Sequence, residues 1–478
     1  MLIGSKNRQD RDQWIMKIGR IILQGGTFDI PHINFEYSVK VLGITFFNDT
    51  LHMQNHNWKE MLTKLEKVLN LWKVRRLSLK GKSLVVNTLA LSKIWYLGTI
   101  IKPLKWATKQ IKSLVFKFIW DGSTEQVSRD TLYLPVEMGG LGILEPWRQM
   151  QALDLKDFKY IIHKECDYLW VYLARYWIGR RIGTLHLDWR FLSHNNSKPH
   201  CTDVRMDSRV HPFFYEDFVD IIPKDVSVFN ESPLYTKNIY LFLQNEHYSK
   251  KYPHSNQTIF QMKGPDQWNR ETTLTIPWKQ GWQMSYQGYN SYIIQDCTWK
   301  LRHHIHMTNF RLHTKFKNLA KRYSSNTLCG ICNQVETALH AFANCSVANR
   351  IWRYFWPFLI KILPSNTPIK QPLIILGIFE NKGKAKNDFP YRLAFTITST
   401  IVDCLWKKRQ QFKSNHVPIR YHETLQCICS ILVNLLNHKY KIHKANSTVK
   451  EFKLRFAINN AICSVNHDGD LIHHLSTN

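Results

Sequence analysis

The sequence has no run of eighteen apolar residues. Its longest candidate, Leu393 to Trp406, is shorter, holds Asp403 and follows Arg392, so no membrane-crossing helix is expected. The opening Met-Leu-Ile-Gly-Ser-Lys-Asn-Arg-Gln-Asp lacks the apolar core of a secretory signal, which makes the cytoplasm and/or nucleus the expected setting. Acidic residues are scarce: 36 Asp and Glu face 65 Lys and Arg, a formal charge of +29 and a pI near 9.7. That surplus exceeds what solubility needs and points to a polyanionic partner, nucleic acid first and anionic membrane second. With 44 % hydrophobic and 13 % aromatic residues the chain is not of the disordered class. At 478 residues it should divide into two to four domains, each with its own core.

The strongest chemical signal is Cys329-Gly-Ile-Cys332 followed by His340 and Cys345. This Cys-x2-Cys-x7-His-x4-Cys pattern supplies three thiolates and an imidazole, the ligand set of a closed tetrahedral zinc site. One structural zinc ion is the expected cofactor, with buried free thiols as the alternative. A four-ligand site leaves no position for a catalytic water, so the role is structural or nucleic-acid-binding. Gly330 is expected to supply backbone freedom, and Asn333 to Ala343 one helical excursion. So short a module has no core of its own, so metal should provide its folding energy, on the order of 10 kcal/mol. The other cysteines, Cys166, Cys201, Cys297, Cys404, Cys427, Cys429 and Cys463, are expected to be reduced and buried.

Along the chain, residues 1–30 read poorly as a domain start. The stretch from Phe35 to Phe47 reads as a strand with Gly43 marking a bulge or close approach. From Trp58 the period becomes helical: Trp58, Leu62, Leu65, Leu69 and Trp72 form one stripe. A second helix is expected from Ser78 to Ile101 with Leu84, Thr88, Leu91 and Trp95 on its apolar face. A third follows Pro103 and carries Ile111, Leu114, Val115, Phe118 and Ile119. Between Leu51 and Trp120 fourteen Lys/Arg face only Glu60 and Glu66, a surplus that suits a phosphate backbone better than an ordinary solvated surface. Lys73, Arg75, Arg76, Lys80 and Lys82 are the candidate phosphate contacts. Gly81-Lys82-Ser83 is not a nucleotide loop, because Arg76 stands where that loop needs glycine. Pro135 to Gly142 reads as a backbone turn, and Pro146 opens another helix.

Val41-Leu-Gly-Ile44, the Trp58-to-Trp72 helix, Leu77 to Ser83, Leu91 to Tyr96, Phe118-Ile-Trp120, Pro135 to Gly142, Ser232 to Tyr240 and Trp299 to Leu312, taken in order with the Cys/His cluster and Glu336-Thr337 before its histidine, resemble the C-terminal part of LINE-type (non-LTR) retrotransposon reverse transcriptases. The likeness covers about residues 35–355 and extends faintly through Leu405-Trp-Lys-Lys-Arg409. It implies a mainly α fold with few strands near the start. Residues 1–50 would be the end of a polymerase palm, 51–160 a basic thumb-like bundle, 161–298 a helical connector and 299–356 the zinc-binding domain. Residues 357–463 would then be C-terminal helices and 464–478 a frayed tail. The chain would begin inside a larger fold, and its partner would be RNA or an RNA–DNA hybrid.

The departures bear on catalysis. Reverse transcription needs paired carboxylates to hold two metal ions, and the sequence has no Asp-Asp pair anywhere. A related nuclease pattern follows the zinc module with Pro-Asp; here Pro265-Asp266 precedes it. No catalytic residue is therefore assigned. The expected function is zinc-dependent nucleic-acid binding without catalysis. The alternatives are a host protein using the zinc module for protein contacts, and a nuclease or polymerase subunit acting with a missing half in trans. Arg302-His-His-Ile-His306 reads as a solvated face. Ile351-Trp-Arg-Tyr-Phe-Trp356 reads equally as core or as a base-stacking surface. Residues 389–463 read as two or three helices.

Overall fold

The computed structural model describes residues 20–23, 26–29, 38–47, 49–162, 171, 235–251, 262–323, 326–365, 367–368, 370–379 and 388–475. The fold is mainly helical, and its described strands pair as three antiparallel hairpins. Much of the expected connector, including its acidic group Glu216, Asp217, Asp220 and Asp225, lies outside the described residues, as do Cys166 and Cys201.

Contacts divide the chain into two units that cut across the expected boundaries: residues 1–75, 84–123 and 144–254 form one, and 76–83, 124–143 and 255–478 the other. The connector is thus not one piece, since its described residues belong partly to each unit.

In the first unit, β1 (Arg20–Leu23) pairs with β2 (Gly26–Asp29), and β3 (Ser38–Val41) with β4 (Ile44–Phe47). The expected single strand is therefore a hairpin. Leu42 and Gly43 form its two-residue turn with φ of 48° and 83°, the left-handed pair that matches strand twist. Helix α1 (Thr50–Lys73) is capped by Asp49, whose carboxylate accepts from the Leu51 and His52 amides. Its stripe Trp58, Leu62, Leu65 and Leu69 is buried as expected, while Trp72 is only half-buried. The Trp58 indole donates to the carbonyls of Ile101 and Lys102. Asn57 clamps the hairpin to α1, accepting from the Thr45 amide and donating to its carbonyl.

The expected second helix is broken. Leu79–Val85 leads into a π-turn, Val86–Ala90, before α2 (Ser92–Ile100). The wider turn shifts the face, so Val85, Val86, Ala90, Leu91, Ile94 and Leu97 are buried, whereas Leu84 and Thr88 are exposed. Helix α3 (Lys105–Ile119) packs on α1 as anticipated, burying Ile111, Val115, Phe118 and Ile119. Helix α4 starts at Pro146 (Pro146–Ile162) and packs on α2, α3 and α5 (Thr236–Lys251). Met150 lies so close to Gly98 that a Cβ there would sit 2.6 Å from its sulfur, so a larger residue at this crossing would have to displace the Met150 side chain.

The second unit is built around one long helix. It contains α6 (Lys263–Thr272), a short helix Trp278–Gln283, α7 (Tyr292–Arg302), α8 (Asn309–Lys315) and α9 (Ser346–Ile362). After these come α10 (Phe389–Asn415), α11 (Tyr421–Ala445) and α12 (Val449–Phe456). Helix α10 contacts α7, α9, α11 and α12. Its residues 393–405 are buried on every face, including Thr396, Thr398, Ser399 and Thr400. Asn290 pins part of that polar stripe, its amide donating to the Thr396 carbonyl and the Ser399 and Thr400 hydroxyls. No helix among the described residues is long and apolar enough to cross a membrane.

Two expectations are corrected here, and one open alternative is decided. Residues 464–475 are not a frayed tail: β5 (Cys463–Val465) and β6 (Leu471–His473) form a hairpin on α11 and α12, with Tyr440 donating to the Gly469 carbonyl. Arg302, His303, His304 and His306 are not a solvated face, for all four are buried. The Arg302 guanidinium donates to the carbonyls of Leu376, Gly281 and Gly377 and to the Ser285 hydroxyl, without a carboxylate partner among the described residues. Burial pushes its pKa down to about 9. His303 and His306 bond the carbonyls of Gly139 and Cys297, and burial pushes them to about 4 and about 3. Finally, Trp352 and Phe355 of the aromatic run are core, the indole donating to the Phe342 carbonyl.

Candidate metal centre and basic faces

The Cys329 turn is closed by two backbone bonds, Cys329 N–H to Gln334 O and Asn333 N–H to Cys329 O. The residue in left-handed backbone is Asn333, at φ 55°, and not Gly330. Glycine at 330 is explained by crowding instead: a Cβ there would lie 2.4 Å from the Phe412 ring. The chain returns through an isolated Leu328–Val335 bridge and then enters a π-turn over His340–Asn344. In a regular α-helix, five residues would leave His340 and Cys345 roughly 140° apart around the axis. The wider π-turn, closed by Cys345 N–H to His340 O, narrows that offset and brings both to the Cys329 turn.

The four donor atoms of Cys329, Cys332, His340 and Cys345 lie within 4.8 Å of one another, and Cys332 alone is not fully buried. The Cys329 and Cys345 sulfurs are 4.0 Å apart, and Cys332 Sγ is 3.2 Å from His340 Nε2. A tetrahedral zinc–thiolate site has ligand–ligand edges of about 3.8 Å from its bond length, so the cluster can hold a divalent metal with small adjustment. The close approach of the two sulfurs holds Cys329 well below the usual thiol range and raises Cys345.

Around this centre lies a charge network that sequence reasoning did not find. Glu336, two per cent exposed, accepts from Arg409 at 2.9 Å, from Lys413 at 2.9 Å and from the Asn309 amide at 3.1 Å. Arg409 also donates to the Ala341 carbonyl, and its Nη1 is 3.6 Å from Cys329 Sγ. Three thiolates and one divalent ion carry a net single negative charge, so with Glu336 the two anions match the two cations. The sequence signal was present as Glu336-Thr337 and Leu405-to-Arg409, but 73 positions separate Glu336 from Arg409. The cluster is not a coreless module either: Cys329, Ala338, Ala341, Phe342 and Cys345 share a continuous core with α9 and α10.

The candidate phosphate contacts separate. Lys73 and Arg75 are exposed at the end of α1 in the first unit, the Arg75 guanidinium 4.5 Å above the Trp72 ring. Arg76 is exposed and Lys80 half-buried in the second unit. Lys82 is buried, 5 % exposed, and cannot meet a phosphate; its charge acts within the second unit on Asp296, where burial wins and pushes the carboxyl up to about 6. Of the fourteen basic residues counted in the bundle, Lys102 pairs with Asp154 and Lys112 with Glu145 at 2.6 Å, so they serve packing.

Fold and site thus define a mainly helical, strongly basic protein with a Cys3His group fit to hold a structural metal ion. No family profile matches the chain. It is similar to the Transposon TX1 uncharacterized 149 kDa protein of Xenopus laevis, 28 % identical over 140 residues. The match covers 28 % of this chain and only 10 % of that protein's length, and it supports a retrotransposon origin.

Proposed function

We propose that this chain is a zinc-dependent nucleic-acid-binding portion of a LINE-type retrotransposon reverse transcriptase, holding RNA or an RNA–DNA hybrid without catalysing a reaction itself. The observation that carries this reading is unbalanced surface charge in the first unit. Lys59, Lys67, Lys73, Arg75, Lys93, Lys105 and Lys109 are exposed there and make no ion pair among the described residues. A surface built for solubility alone mixes signs; one that leaves cations unpaired gains by meeting phosphates and releasing their counterions. The zinc ion's part is structural, fixing the Cys329 turn and the π-turn against α10. Polymerisation would come from a palm supplied elsewhere in the same polyprotein or in trans, and the setting would be the cytoplasm or nucleus.

The test is equilibrium binding of a labelled structured RNA across a salt series, with and without a zinc chelator. Six or more phosphate contacts on a duplex make affinity fall roughly 10³-fold or more between 50 and 200 mM salt. Lys73→Ala with Arg75→Ala should weaken binding to all sequences alike and flatten the slope. Weak, salt-insensitive binding by zinc-loaded protein would refute the reading and favour a protein partner.

A further inference from the structure

Within the second unit, a surface groove of about 560 Å³ is lined by Gln267, Arg270, Glu271, Phe310, Thr337 and Leu339. It runs from one face of α6 across α8 to the segment between the zinc ligands Cys332 and His340. Phe310 is 37 % exposed, so its ring is open to a ligand in the groove. Positive charge surrounds it. Lys263 and Arg270 are exposed, Lys263 one turn before Gln267 on the same face of α6. Lys315 is exposed, and Lys263 and Arg311 repel it. None of these four basic residues makes an ion pair among the described residues, and the groove's own acid, Glu271, is 3.1 Å from His304 and also accepts from Gln267. Arg311 is half-buried and donates to the His304 carbonyl, and Arg270 donates to the Asp266 carbonyl, so the groove offers an aromatic ring beside cations that lack a carboxylate partner among the described residues.

We propose that this groove binds a single-stranded segment of nucleic acid, an unpaired base stacking on Phe310 while its flanking phosphates meet Arg270 and the Lys263, Arg311 and Lys315 charges. A ring with basic neighbours suits splayed bases, whose faces a duplex conceals. The inference rests on the nucleic-acid reading above and narrows it to one groove of the second unit.

The experiment uses the zinc-loaded full chain with fluorescent ten-residue oligouridine and oligothymidine, and a blunt duplex of equal charge as control. Phe310→Ala should lower single-strand affinity about 5- to 150-fold, the range that base–aromatic stacking supplies, and leave duplex affinity unchanged. Phe310→Tyr keeps the ring face and should retain binding; zinc content and circular dichroism of both variants establish that they fold. Crosslinking with a 4-thiouridine-containing oligomer should mark the peptide bearing Phe310. The uridine and thymidine arms decide between RNA and DNA. If structured RNA binds but Phe310→Ala changes nothing, or the crosslink falls elsewhere, this inference is overturned alone; if no nucleic acid binds at all, the proposed function falls with it.

Discussion

The network of Glu336, Arg409 and Lys413 makes the sharpest prediction. Both Glu336 and Arg409 have side chains no more than 4 % exposed, so neither charge can turn to water when its partner is removed. Glu336→Ala would leave the Arg409 guanidinium without its carboxylate and the Asn309 amide without an acceptor. Removing one member of a buried pair costs about 3–5 kcal/mol. For a unit of this size, that is a fall in melting temperature of roughly 6–20 °C. Arg409→Met removes instead the cation beside Cys329, and loss of such an outer partner should weaken zinc binding by about 10- to 100-fold. The double variant Glu336→Leu/Arg409→Met takes both charges away and fills their volume, leaving Lys413, the most exposed of the three, to reach solvent. It should recover most of the stability lost by Glu336→Ala, because replacing a whole buried pair is near neutral, while keeping the zinc defect. The assays are thermal unfolding and zinc competition against a chromophoric chelator. Single variants that melt within a degree of the parent and hold zinc equally would refute the claim that the network braces the metal centre.

Acid should destabilise the second unit through its histidines. A base whose folded pKa is depressed contributes stability fully present above its unfolded value near 6.5, lost as pH falls toward the folded value; for His303 and His306 those values are about 4 and about 3. Asp296 acts oppositely, its raised pKa favouring the fold below about 4 and losing that contribution by about pH 6. Two histidines outweigh one carboxyl, so unfolding monitored from pH 7 to 4 should show a net loss of several kcal/mol by linkage, smaller in His303→Gln, and a flat profile would contradict the burial argument. In the first unit, Trp58→Ala removes a fully buried indole that bonds two carbonyls and should cost about 3–5 kcal/mol, read by chemical denaturation. Gly264→Ala would put a Cβ 2.4 Å from the His303 backbone and should lower the melting temperature of the second unit, whereas an unaltered melt would mean that α6 yields freely. Chelating the metal should expose Cys329, Cys332 and Cys345 to a thiol reagent; equal thiol reactivity with and without zinc would remove the metal from the cluster.

What could be read from the sequence followed from local rules, and what could not depended on distant acceptors. The α1 stripe was legible because one helical period carries it from Trp58 to Leu69, and the metal ligands because their spacing lies within seventeen residues. The π-turns at Val86–Ala90 and His340–Asn344 were not legible, since one extra residue per turn leaves the composition unchanged and alters only which side chains share a face. Arg302 was misread for a deeper reason. A buried guanidinium is ordinarily sought through an acidic partner, but its acceptors here are backbone carbonyls of Gly281, Leu376 and Gly377, which any sequence possesses. The same asymmetry separates the two kinds of basic residue in this protein. Arg302 and Arg409 are spent on internal acceptors and hold the second unit together, whereas Lys59, Lys67, Lys73, Lys105 and Lys109 of α1 and α3 and Lys263 and Arg270 of α6 are exposed and make no ion pair among the described residues. Net charge alone sums both kinds. Only burial and pairing show which positive charges remain to meet an outside anion.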